Sequence, residues 1–291
     1  MTTTIDLLSE KERFFRLFQV WPISQRFETE RWRENFTSDE RPFADRLLDR
    51  FAYFNETMVD ALLKAAVQRF LNISYSTTKM DISRCVFVSV EGEAPHPADS
   101  GYAFLRKVRN TLGVNEDKIH TADSALRLHP FVENYVFVDD FVGSGNQMTQ
   151  TWTRKRVQPD GSILSFADVA VSGKHTFAYC PCLCTESGKI NLERDAAPLC
   201  IVPAHIISAR HNATHPEAFV WEGMNINDAL QFMKTTGNRA GFVAQDGGQN
   251  DWRGYHCLGL SLAVHDSIPD ASLPIYFSQL NGWKPLMRRS S

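Results

Sequence analysis

The stretch Tyr135-Val136-Phe137-Val138-Asp139-Asp140-Phe141-Val142-Gly143-Ser144-Gly145-Asn146 constrains this chain most. β-branched and aromatic residues run into two acids, then into a turn of small residues, then into Gln147-Met148-Thr149-Gln150-Thr151-Trp152. The order reads as strand, acidic tip, tight loop and helix, because such side chains favour strands and glycine reaches backbone angles others avoid. A loop of small residues ahead of a helix points several N–H groups at one spot, which suits an anion such as a phosphate. Two carboxylates beside an anion site imply a bipolar ligand. A sugar phosphate fits, with hydroxyls for the acids and phosphate for the amides.

The surroundings of this stretch set the fold class. Cys85-Val86-Phe87-Val88-Ser89-Val90 is almost continuously apolar, as expected of a strand buried on both faces of an α/β sheet. A polar loop, 91–101, leads to a helix over 102–112 that Gly113 ends, and 118–122 reads as a short strand. Strand, helix, strand and loop-to-helix at these spacings predict βαβ units and a mainly parallel central sheet with flanking helices. Beyond it, 162–171, 176–183, 198–202, 256–264 and 273–277 read as strands, and 227–233 as helical. Ahead of it, 5–20, 32–36, 42–54 and 57–70 read as helices, with Asn55 as a cap before the last. Residues 1–75 are thus expected to form a helical N-terminal extension packed on a core of 76–291.

Charge and cysteine content exclude several classes. The 291 residues carry 31 Lys and Arg against 34 Asp and Glu, a formal charge of −3. That balance lacks the basic excess of a general nucleic-acid binder. No signal-peptide pattern opens the chain, and no apolar run approaches the roughly 20 residues of a membrane span. Six cysteines in a chain this long predict reduced thiols and a cytoplasmic protein.

The stretch 136–146 resembles the phosphate-and-ribose loop of type I phosphoribosyltransferases: apolar residues, two acids, a few variable positions, then Ser-Gly. Gln147 stands where that family often has Thr. The wider pattern resembles a divergent bacterial group of phosphoribosyltransferase-like proteins often found in mobile or conflict-associated gene sets. Its pieces are Arg31-Trp32-Arg33-Glu34-Asn35-Phe36, Ser267-Ile268-Pro269-Asp270-Ala271-Ser272-Leu273-Pro274-Ile275 and Gly282-Trp283-Lys284-Pro285-Leu286. The resemblance implies a phosphoribosyltransferase-like α/β core with C-terminal additions, and a role in antiviral defence.

It also implies a ligand and roles. Phe141, Val142, Gly143, Ser144, Gly145, Asn146 and Gln147 would hold a 5-phosphate, and Asp139 and Asp140 would meet the ribose hydroxyls, directly or through Mg²⁺. A second loop, with Glu91, Gly92, Ser100 and Gly101, would hold pyrophosphate. It carries Glu93 and Asp99 but no Arg or Lys, and Pro95 and Pro97 where the family has a tight non-proline turn. Lys174, or a residue within 211–215, is a candidate basic lid residue. The activities compatible with this are transfer at ribose C1, nucleotide cleavage by water, and non-catalytic nucleotide sensing with a protein partner.

Three other features compete for function. Cys180, Cys182, Cys184 and Cys200 with His205, His211 and His215 could form a Zn²⁺ site, although alternate cysteines also suit one buried strand face. His265 beside Asp266 is a candidate acid–base pair. Trp252 and Tyr255, flanking Gly254, are candidates for a ligand cover.

Overall fold

A computed structural model of the chain describes residues 15, 27–75, 81–92, 100–129, 131–265 and 267–289. In chain order the elements are α1 (Thr29–Arg33), α2 (Arg41–Asp49), β1 (Ala52–Phe54), α3 (Glu56–Tyr75), β2 (Cys85–Ser89), α4 (Ser100–Leu112), β3 (Ile119–His120), α5 (Ala122–Arg127) and β4 (Asn134–Val142). There follow α6 (Asn146–Thr153), β5 (Arg156–Val157), β6 (Ile163–Leu164), α7 (Phe166–Ala170), β7 (Thr176–Thr185), α8 (Glu186–Asp195), β8 (Cys200–Ile201), β9 (His205–Ile207), α9 (Ile226–Arg239) and β10 (Leu262–Val264). These form two compact units, one from Val59–Ile207 and one from Met1–Met58 with Ser208–Ser291. That division differs from the 1–75 and 76–291 partition read from the sequence: most of α3 belongs with the sheet, and the N-terminal segment shares its unit with the C-terminal third.

The Val59–Ile207 unit is the expected α/β arrangement. Its sheet runs β3-β2-β4-β7-β8, with β9 also on β7, and every pairing is parallel. All five residues of β2 are buried, as the unbroken apolar run requires. On one face Tyr135, Phe137, Phe177 and Tyr179 pack with Trp152 and Phe166 in an aromatic cluster. From β2 the chain first adds β3 on one side and then β4 on the other. In open parallel sheets such a reversal leaves a crevice at the carboxyl ends of the two diverging strands, where ligands commonly bind.

Several elements differ from the sequence expectations for local reasons. Residues 162–171 do not form one strand. Ser165 opens α7 instead, its hydroxyl accepting from the Asp168 N–H while Asp168 accepts from the Ser165 N–H, a capping box that halts β6 at Leu164. Helix α8 fills a gap in the sequence reading; Thr185 caps it through the Gly188 N–H. The helix expected over 42–54 ends at Asp49, and Ala52–Phe54 pairs in parallel with β10. Short apolar runs are ambiguous between helix and strand by periodicity alone, and here the partner strand decides. Only 262–264 of the run 256–264 is strand, and Pro274–Tyr276 is a 3₁₀ turn rather than an edge strand. The helix expected over 5–20 lies outside the described residues apart from Phe15.

The second unit is built around aromatics from both ends of the chain. The Trp32 indole N–H donates to the Ile275 carbonyl at 2.6 Å, and the Trp283 indole donates to the same oxygen at 2.9 Å. Asn35 donates from Nδ2 to the Lys284 carbonyl and accepts at Oδ1 from the Lys284 N–H, at 2.8 and 3.0 Å. Trp32 stacks on Tyr276, and Phe36 meets Trp283 edge to face. Arg33 and Asp45 form a buried two-armed ion pair beside them. The three motif pieces quoted above thus pack against one another. Trp252 is part of this core, with its Cβ against Gly237, and is not a ligand cover.

Candidate functional site

The two acids lie within β4 rather than beyond it. The strand continues to Val142 because β7 pairs alongside, with Asp139 opposite Pro181, Phe141 opposite Leu183 and Val142 opposite Cys184. Alternation along a strand therefore sends the acids to opposite faces. Asp139 follows Tyr135 and Phe137 to the aromatic side, where its Oδ2 accepts from the Tyr179 hydroxyl at 2.9 Å and its Oδ1 from the Asp140 N–H at 3.0 Å. Burial, and then the Asp140 carboxylate, push the Asp139 pKa well above the usual carboxylate range. Asp140 is only half-buried. The pair therefore has two characters: Asp139 is held inside, and Asp140 keeps part of its surface open.

Residues 141–147 come together as the end of β4, a turn and the start of α6. The turn is anchored from behind by α8. The Thr185 hydroxyl donates to the Gly143 carbonyl at 2.5 Å, and Asn191 Nδ2 donates to the Ser144 carbonyl at 3.0 Å. In a trans peptide the N–H points opposite to the C=O, so the Ser144 and Gly145 N–H groups project away from α8. Gly145 caps α6 at φ +89°, and the Ser144 hydroxyl accepts from the Asn146 N–H at 3.3 Å. Helix starts of this kind attract anions through their unpaired N–H groups and dipole. A side chain on Gly145 would meet Leu192 Cγ at 2.8 Å and the Gly188 carbonyl at 3.1 Å. Thr185, Gly188 and Asn191 were invisible as site residues in the sequence, because nothing local says that α8 packs against this turn.

The second expected loop leaves the neighbouring strand β2 at the same edge of the sheet. Ser100 and Gly101 form the first turn of α4, whereas Glu93, Pro95, Pro97 and Asp99 lie outside the described residues. The Glu91 carboxylate is already engaged: Arg154 Nη1 and Arg156 Nη2 both donate to its Oε2, at 2.6 and 2.5 Å. Arg154 Nη2 also donates to the Gly92 carbonyl at 3.2 Å. The loop has no basic residue of its own in sequence, and the fold brings two guanidiniums to its base. The sequence signal was the Arg154-Lys155-Arg156 run directly after α6.

The remaining candidates separate. Lys174 precedes β7 and so sits at the amino edge of the sheet, away from the two loops. Cys180, Cys182 and Cys184 are buried along β7, with Cys182 Sγ 3.5 Å from the Val59 carbonyl. Burial raises their thiol pKa values, that of Cys184 to about 12. Among the described residues no group of three or more His, Cys, Asp or Glu side chains is arranged to hold a metal ion. The cysteines are small buried packing groups there. Asp266 lies outside the described residues; His265 Nε2 is 3.9 Å from Glu56. No described helix is long and apolar enough to cross a membrane.

With this geometry in hand, comparison with known families is decisive at one level. The model of the family PRTase-CE matches residues 29–289. The chain belongs to the PRTase-CE family. It is phosphoribosyltransferase-like, and its mainly parallel sheet with flanking helices agrees with that. The match spans residues of both compact units, so the aromatic unit is as much part of the family pattern as the sheet. No curated protein and no solved structure matches the chain.

Proposed function

We propose that this PRTase-CE protein binds a phosphoribosyl compound, a nucleotide or its precursor, at the crevice between the ends of β2 and β4. The observation that carries the reading is the turn 143–145. Its Gly143 and Ser144 carbonyls are tied back to Thr185 and Asn191, which turns the Ser144 and Gly145 amides away from α8 and toward a 5-phosphate at the start of α6. Asp140, half-buried at the same strand end, takes the ribose hydroxyls.

Magnesium fits this arrangement through a single carboxylate. Asp140, half-buried at the strand end, is the residue that would hold the ion, and Mg²⁺ commonly takes only one or two protein carboxylates with phosphate oxygens and water. When bound, the ion neutralises charge on a leaving pyrophosphate. Asp140 favours positive charge developing at C1, and the Ser144 and Gly145 amides fix the sugar against it. Reaction at C1 is either transfer to a base or attack by water.

A second reading, a nucleotide sensor without turnover in a bacterial defence system, is favoured by one observation. Asp139 is buried against the Tyr179 hydroxyl, and Glu91 is engaged by Arg154 and Arg156, so two of the three acids at this edge of the sheet are held by the protein's own groups. Incubation with Mg²⁺ and phosphoribosyl pyrophosphate plus mixed bases, or with nucleotides, separates these. Pyrophosphate release marks transfer and free base marks hydrolysis. Saturable binding without either product, weakened about tenfold or more by Asp140→Asn, marks a sensor. Binding unaffected by Asp140→Asn, and by Gly145→Ala, would remove the site assignment.

A further inference from the structure

The face of the sheet opposite Asp139 carries charges of its own. Between β4 and β7, Asp139 stands opposite Pro181 and Phe141 opposite Leu183, so Asp140 lies alongside Cys182. Residues side by side in neighbouring strands project to the same face, here the one away from the aromatic cluster. Helices α3 and α4 cover that face. The Cys182 thiol lies 3.5 Å from the Val59 carbonyl near the start of α3, and α4 packs on β2 and β4. The residue after Val59, Asp60, accepts at Oδ1 from Lys107 Nζ of α4 at 3.1 Å. This pair is partly withdrawn from water, with the Lys107 side chain only 16% exposed. Its charges and that of Asp140 meet at one sulfur. Burial raises the Cys182 thiol pKa most, the Asp140 and Asp139 carboxylates raise it further, the Lys107 ammonium works against them, and Asp60 adds least.

We infer that Lys107 is a positioning residue for the candidate site: held by Asp60, its ammonium is a tethered cation beside Asp140 that weakens the hold of this carboxylate on a metal ion. A fixed positive charge repels an incoming divalent cation, and the repulsion counts for more where the charges are partly withdrawn from water. Asp60 acts in the opposite sense. Its carboxylate offsets the ammonium, and without it the full charge of Lys107 bears on Asp140. The two partners of one ion pair therefore move metal affinity in opposite directions, which a merely structural pair would not do. The role of Asp140 as a metal ligand rests on the function proposed above, whereas the placement of Lys107 and Asp60 does not.

The test is Mn²⁺ binding to the full chain without any other ligand, read by electron paramagnetic resonance. Lys107→Met is expected to bind Mn²⁺ about tenfold or more tighter than the wild type, and Asp60→Asn about threefold or more weaker. Lys107→Arg keeps the charge and is expected to stay within about threefold of the wild type. Adding Asp140→Asn to Lys107→Met is expected to remove the gain, which assigns it to that carboxylate rather than to Asp60. Lys107→Gln repeats the test should the methionine variant not fold. Should the wild type bind Mn²⁺ too weakly to titrate, the gain in the neutral variant and its loss in the double variant decide. No gain in either neutral variant, an equal gain in Lys107→Arg, or a gain that survives Asp140→Asn overturns the inference. Calorimetry with phosphoribosyl pyrophosphate is run separately on the wild type. If none binds, the functional reading falls, and the order of Mn²⁺ affinities alone decides on Lys107.

Discussion

Replacing Gly145 by alanine separates two costs that the phosphate turn imposes on its sequence. The residue sits at φ +89°, where an L side chain is disfavoured by roughly 1–2 kcal/mol. The added methyl would also lie 2.8 Å from Leu192 Cγ and 3.1 Å from the Gly188 carbonyl, closer than van der Waals contact allows. Leu192 is fully buried on α8, so relief requires moving packed atoms, at about 1–3 kcal/mol. Gly145→Ala is therefore expected to destabilise the Val59–Ile207 unit by about 2–5 kcal/mol. Gly113, in the same unit, provides the comparison: its φ is +67°, and an added methyl meets nothing within 4 Å. Gly113→Ala should cost only the backbone part, about 1–2 kcal/mol. Urea denaturation of both variants, followed by circular dichroism, gives the contact part as the difference between them. A Gly145→Ala variant no less stable than Gly113→Ala would refute the claim that α8 braces the turn from behind.

Three further outcomes follow from other parts of the molecule. Asp139 has a folded-state pKa above its unfolded value of about 3.9, so its contribution is present below that value and lost as pH rises through the folded one. Asp139→Asn, which keeps an acceptor for Tyr179, should therefore be more stable than the wild type at pH 8 and show no advantage at pH 3, measured by urea midpoints. Asn35→Ala removes two donations and one acceptance that join Trp32 and Lys284, and is expected to cost the aromatic unit about 2 kcal/mol in thermal or urea unfolding. Iodoacetamide at neutral pH should label exposed Cys200 well before Cys180, Cys182 and Cys184, whose burial keeps the thiols protonated; peptide mass spectrometry with and without denaturant checks the order.

The sheet and the turn were legible because their signals are local. Val86 to Ser89 and Val136 to Val138 announce doubly buried strands, and Gly143-Ser144-Gly145 announces a turn into a helix. What supports the turn was not legible, since Thr185, Gly188 and Asn191 are distant in sequence and meet it only through the pairing of β4 with β7. The same limit hid the difference between the two acids. As neighbours in sequence they read as one motif, and only the strand continuing past them to Val142 sends Asp139 inward to Tyr179. The α7 capping box was readable from Ser165 and Asp168, but the β-favouring run around it masked the signal. Trp32 gave no hint of joining Trp283 on the Ile275 carbonyl, because a hydrogen bond across most of the chain has no local periodicity.

The unit built from both ends of the chain has a consequence for synthesis. Trp32, Phe36 and Phe51 are made early, yet their partners Trp221, Tyr276 and Trp283 follow only after the whole Val59–Ile207 unit. At about 5–20 residues per second, those aromatics wait roughly ten to fifty seconds on the ribosome without their native cover. The sheet unit, contiguous in sequence, has all its partners in hand during that interval and can fold first. The nascent chain is thus sticky at its leading end while already ordered behind it, and that interval is when a chaperone holding the first segment has most to do.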